Sequence, residues 1–142
     1  MRVENQVLTE LTSLCEAVAG VEGAVVATSD GLLVAHVLAE SEQSQVAALI
    51  STVAAVARQA ALLTGRGELT EAAIRGENGC LSVYAVGDSA VLAVLGAPDL
   101  NVALLQLRTR PVVARLTLLA SGFTRFVTGP IPAAPAMQDA PG

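Results

Sequence analysis

Ser29 and Asp30, in the stretch VATSDGLLVA (26–35), are the residues of this chain that most invite a chemical reading. A serine nucleophile needs a base held against it, usually a histidine, and donors aimed at the developing oxyanion. His36 is the only histidine in the sequence. Asp30-Gly31 between two apolar runs is a strong signal for a tight hairpin. Such a hairpin sets Ser29 opposite Leu32 and carries His36 further along the second strand, away from the tip. No G-x-S-x-G elbow surrounds the serine. The stretch is expected to be a turn, and the protein is not expected to be an enzyme.

Other reactive constellations fare no better. GRGELTE (65–71) is glycine-rich but lacks G-x-x-x-x-G-K-[ST] and follows a helix rather than a strand, so it makes a poor phosphate cradle. His36 has no second histidine or cysteine spaced to share a metal, and reads as a core or sheet-edge residue. The acidic residues are scattered singly, which does not support a paired-carboxylate hydrolase. All eight basic residues are arginine. The absence of lysine excludes a lysine nucleophile, a Schiff base and a P-loop lysine. No cofactor is implied. Cys15 and Cys80 form no C-x-x-C and read as buried thiols in a reducing compartment.

Composition narrows the partners. Charged residues make up only 15% of the chain and hydrophobic residues 53%, so some apolar surface is expected to be covered by another chain. A net charge of −5 with only Tyr84, Phe123 and Phe126 as aromatics argues against a nucleic-acid surface. The N-terminal stretch MRVENQVLTEL is not a secretory signal. QVAALISTVAAVARQAALLTG (45–65) is apolar enough to suggest a membrane span, but its central Arg58 favours a buried helix of a soluble protein. No membrane insertion is expected, and the location is expected to be cytoplasmic.

The elements that must carry these residues follow from periodicity. Val3, Val7, Leu11, Leu14 and Val18 form one apolar stripe, hence an amphipathic helix stopped at Gly20. GAVVATS and LLVAHVL are strands apolar on successive residues, as when both faces are covered. A long helix is expected over about 42–64, capped by Ser41 and stopped by Gly65. ELTEAAIRG, CLSVYAV and AVLAVLG read as a three-strand meander turning at Asn78-Gly79 and Gly87-Asp88. A last helix runs from a cap at Asp99 to Gly122, with a kink or break expected at Pro111. The domain is expected to span 3–122, with a Pro/Ala-rich tail over 128–142. The fold class is α/β of the α+β type: a five-stranded antiparallel sheet with one helix on one face and two on the other.

The long second helix is the informative element. On a 100° wheel, Val46, Leu49, Ile50, Val53, Val56, Ala57 and Ala60 gather on one face, which is expected to pack on the sheet. Ser44, Ala48, Ser51, Ala55, Arg58 and Leu62 lie opposite at steps of four and three, a heptad-like seam of small residues suited to a second helix. Gln45, Thr52 and Gln59 recur every seven residues along one margin.

The hairpin GAVVATSDGLLVA (23–35), the Ala-rich helix after it, GRGELTEAAIRGENGCLSVYAVGDSAVLAVLG (65–96) and APDLNVALLQLR (97–108) together resemble the Roadblock (dynein light chain) family, in particular its small bacterial, MglB-like members. The resemblance covers about residues 4 to 120; Pro111 departs from it, interrupting a helix that is usually continuous there. It implies a non-enzymatic homodimer that binds a Ras-like small GTPase. The seam Ser44, Ala48, Ser51, Ala55, Arg58 and Leu62 then becomes the expected dimer interface, with the strand at 69–75 contributing. Gln45, Thr52, Arg58 and Gln59 become the expected GTPase contacts. The alternative is a small-molecule-sensing module of similar build, which needs a polar-lined cavity.

Overall fold

The computed structural model describes residues 2–38 and 43–123. The expected cap Ser41 and the expected tail 128–142 lie outside the described residues. Along the chain come α1 (Val3–Ala17), β1 (Val21–Thr28), β2 (Leu33–Val37), α2 (Gln43–Leu63), β3 (Glu71–Gly76), β4 (Gly79–Val86), β5 (Ala90–Gly96) and α3 (Val102–Leu119), followed by a 3-10 turn at Ala120–Phe123. The strands form one antiparallel sheet in the order β2-β1-β5-β4-β3. The two strands that are apolar at nearly every position, β1 and β5, lie inside it, and the more polar β3 is an edge.

Side-chain alternation along β1 and β5 feeds two cores. Val26, Leu92 and Val94 point to one face, where Val7, Leu11 and Leu14 of α1 meet Leu105, Val112 and Leu116 of α3. Val25, Val83, Val91 and Ala93 point to the other, under Ala47, Ile50 and Ala54 of α2. Both faces are covered, as strands apolar on successive residues require.

Three local expectations are corrected. The first hairpin does not close through a Ser29–Leu32 pair. Thr28 N–H donates to the Leu32 carbonyl (2.8 Å), and the Thr28 hydroxyl accepts from Leu32 N–H (3.0 Å), so the loop these bonds close is residues 29–31. The side-chain bond of Thr28 closes a longer loop than two residues would make. Gly31 does sit at φ +95°, as the turn chemistry demands. The cap of α3 is Asn101 rather than Asp99, its side chain accepting from Leu104 N–H at 3.0 Å. Finally, α3 runs through Pro111 without a break. Proline removes one ladder bond, but Leu105, Thr109, Val112 and Leu116 bury both halves of the helix on the same sheet face.

Candidate functional site

The outward face of α2 leaves four large apolar side chains exposed: Leu49, Val56, Leu62 and Leu63. Its C-terminal end is closed by Gly65 at φ +76°, with Arg66 N–H bonded to the Ala61 carbonyl and Gly65 N–H to that of Leu62. The helix is long and apolar enough to cross a membrane, and it is not the buried helix expected from the sequence: only 22% of that apolar window is buried within this chain. Hydrogen bonds tie its inner side to sheet and turn backbone. The Ser51 hydroxyl donates to the Thr28 carbonyl (2.9 Å) as well as to Ala47 (2.9 Å). Arg58 donates to the Ala90 carbonyl at 3.1 Å and, more weakly, to that of Asp88 at 3.4 Å.

These bonds fix a rotation of α2 that differs from the expected one. Ala47, Ile50, Ser51 and Ala54 face the sheet, and Ser51 is only 6% exposed. Ser51 is therefore removed from the expected dimer seam, and Arg58 is half-buried against the β4–β5 turn rather than offered to a partner. Conversely Leu49 and Val56, expected in the core, are each 64% exposed, and Ala60 is exposed too. The physical reason is size. Alanines at 47 and 54 let the helix backbone approach a sheet face that itself presents Ala27 and Ala93, and the two serine bonds cancel the cost of burying a hydroxyl. A wheel weighted by hydrophobicity puts the largest residues inside; here Ile50 goes inside with three small residues, and Leu49 and Val56 stay out.

The centre of the outer face is thus Gln45, Leu49, Thr52, Val56, Gln59 and Leu63, at steps of four and three. All six are exposed, so the expected partner residues Gln45, Thr52 and Gln59 do share one accessible surface. Ser44, Ala48, Ala55 and Leu62 from the expected dimer seam form its flank. Arg58 and Leu62 border a cavity of about 270 Å³ together with Glu68, Leu69 and Ala85, which sets the C-terminal end of this flank toward β4, while Ala48 lies against Gly31 of the first turn. Ile74 on β3 is exposed as well.

The residues first suspected of chemistry are occupied structurally. The Ser29 hydroxyl donates to the Asp88 carbonyl (3.1 Å), and Ser29 N–H donates to that of Ser89 (2.8 Å), so the two turns are laced together. His36 pairs with Val25 on the edge strand β2, and its buried Nδ1 has no hydrogen-bond partner among the described residues. Cys15 and Cys80 are free thiols, half-buried rather than fully buried as expected. Burial pushes the Cys15 thiol up from its ordinary pKa, aided by the neighbouring Glu16. That shift keeps it protonated and a poor nucleophile.

A groove of about 630 Å³ lies on the opposite face of the sheet, between α3 and the β3–β4 pair, and was not foreseen from the sequence. Tyr84 and Thr109 form its buried floor, and Gln106 Nε2 donates to Glu71 Oε2 at 2.9 Å beside it. Burial pushes the Tyr84 hydroxyl above its ordinary pKa. The signal in the sequence was thin: a single tyrosine in β4, and a strand (β3) that no helix covers on this side.

Comparison with known proteins agrees with this architecture. The family described as Roadblock/LC7 domain matches residues 7–96. No curated protein matches the chain. Among solved structures, Myxococcus xanthus MglB superposes with a TM-score of 0.76 at 19% identity, over 83% of this chain and 90% of that one. The gliding protein MglB from Thermus thermophilus gives 0.75 at 19% identity, over 84% and 91%. A Roadblock/LC7 domain from Streptomyces avermitilis gives 0.72 at 22% identity, over 77% and 92%. At these identities the likeness is one of fold.

Proposed function

The chain belongs to the Roadblock/LC7 domain family, and from that premise we propose that it is a cytoplasmic, non-enzymatic homodimeric adaptor whose paired α2 helices bind a Ras-like small GTPase. The observation that carries this reading is the exposed heptad-spaced face of α2 beside an unpaired edge strand. Burying Leu49, Val56 or Leu62 contributes on the order of 1.5–3 kcal/mol each, so a second chain gains considerably by covering them. Ala48 and Ala55 allow a close helix approach, and β3 offers unpaired backbone groups to the same partner. A twofold axis beside β3 sets the two α2 helices antiparallel and accounts for both features, with the Ala55–Leu62 half of the flank at the contact.

That arrangement leaves Gln45, Thr52 and Gln59, with Leu49 and Val56 beside them, facing away from the sheet on both subunits. A polar row next to an apolar one is the composition of a transient interface rather than an obligate one. Arg58 drops out of the proposed contact set because its guanidinium is held by backbone carbonyls. The non-enzymatic reading is supported by the occupied hydroxyl of Ser29 and by the distance in sheet register between that turn and His36. The test is a pull-down of a Ras-like GTPase by wild type and by Thr52→Glu, run beside a light-scattering measurement on each. Capture by wild type and loss in Thr52→Glu with an unchanged dimer supports the reading; equal capture by both puts the contact elsewhere.

The Tyr84 groove keeps one second reading in view, that of a small-molecule sensor, since it is a polar-lined cavity of ligand size. A thermal shift with a metabolite collection, abolished by Tyr84→Ala, would favour it.

A further inference from the structure

The outer face of α3 carries a second apolar stripe, remote in the fold from α2 because α3 covers the other side of the sheet. Leu107 is 61% exposed and Leu118 is 81% exposed. Pro111 and Ala114 lie between them, also exposed, so the stripe steps by four, three and four residues along one helix face. Its middle is small and its two ends are large, which makes a shallow saddle about 16 Å long at 1.5 Å per residue. Pro111 has no N–H, so the Leu107 carbonyl on this stripe lacks its i+4 donor.

Charge singles out this helix. It carries Arg108, Arg110 and Arg115 and no acidic residue, while all but one of the chain's thirteen acidic residues precede it. The arginines flank the stripe on both sides. Arg115 lies on the side of α1, bonded to Glu10 at 2.8 Å, with Arg108 on the same flank. Arg110 lies on the opposite flank, bordering the Tyr84 groove. Arg108 and Arg110 form no ion pair among the described residues.

We infer that this face receives an acidic amphipathic helix of another protein, its apolar side seated on the saddle and its carboxylates against Arg108 and Arg110. A second copy of the same face fits poorly. In a twofold antiparallel pairing like flanks meet, which sets arginine against arginine. An anionic membrane also fits poorly. A flat surface would also press on the Glu10 carboxylate of α1, which lies beside the stripe at 2.8 Å from Arg115, whereas a single helix need touch only α3. The inference stands apart from the GTPase reading of α2, and either holds without the other.

The test uses the full chain and a synthetic helical peptide of about 15 residues, with leucines spaced 4-3-4 and glutamate on both flanks. A sister peptide has lysine at the glutamate positions, and phosphatidylglycerol vesicles form the third arm. Fluorescence anisotropy should show the glutamate peptide bound by wild type, with binding weakened by raising salt from about 0.05 M to about 0.5 M. Leu118→Asp and Arg108→Glu should each reduce affinity by about tenfold or more. Both positions are solvent-exposed, and an unchanged circular dichroism spectrum confirms the fold. Equal binding of the lysine peptide, capture by vesicles in place of the peptide, or no binding of the glutamate peptide would each overturn the inference.

Discussion

Arg58 of α2 donates through Nη2 to the carbonyl oxygen of Ala90, 3.1 Å away at the first residue of β5. A charged donor on a backbone acceptor is worth about 1.5–3 kcal/mol when well buried. Arg58 is only half-buried, so Arg58→Ala should cost nearer ~1 kcal/mol of folding stability, read as a lower urea midpoint. Arg58→Lys should recover little of it, because an ammonium cannot span the Asp88 and Ala90 carbonyls as the guanidinium fork does.

Ser51 gives a sharper contrast. Its hydroxyl is buried against the Thr28 carbonyl, so Ser51→Ala removes a bond whose acceptor keeps the Gly31 N–H as a partner. The expected loss is about 1 kcal/mol. Ser51→Glu forces a carboxylate between α2 and the sheet and should cost several kcal/mol, enough to unfold a marginal domain. Thermal melts of the two variants separate these outcomes; a Ser51→Glu protein as stable as wild type would show that α2 is rotated.

The first turn should respond to backbone strain and hardly to its hydroxyl. Gly31→Val places a β-branched residue at φ +95° and should lower stability by about 1–2 kcal/mol. Ser29→Ala loses one exposed bond to the Asp88 carbonyl and should cost less than about 1 kcal/mol. A measurable activity that disappears in folded Ser29→Ala would contradict the non-enzymatic reading.

A stricter constraint lies at Gly79. A Cβ added there, at φ +146°, would collide with the carbonyl oxygen of Gly96 on the neighbouring strand. Gly79→Ala should therefore destabilise by more than Gly76→Ala, where the nearest atom is 3.8 Å away. Parallel urea titrations of the two variants check the difference.

Where the sequence was legible and where it was not divides along physical lines. Element order, the meander and the placing of helices on both faces follow from period and turn chemistry, which are local. Val7, Leu11 and Leu14 fall on the α1 core face as their spacing predicts, because that face has one apolar stripe and no rival. α2 has two. With Leu49 and Val56 on one side and Ala47 and Ala54 on another, periodicity fits either rotation, and what decides is how closely the sheet lets the helix approach. Hydrogen bonds across 23 residues from Ser51 and 32 from Arg58 then hold that rotation, and no local pattern foretells them. The Asn101 cap was missed for a lesser reason: Asp99 and Asn101 are both good cap residues, and helix boundaries are poorly marked at that scale.

The most direct measurement is the mass of the protein in solution. Light scattering on wild type at micromolar concentration should give twice the 14.4 kDa chain mass. Ala55→Glu puts a charge on the outer flank of α2 without touching the sheet, and should give the mass of one chain with an unchanged circular dichroism spectrum. A wild-type protein that runs as one chain, or an Ala55→Glu protein that still runs as two, would contradict a dimer built on this face.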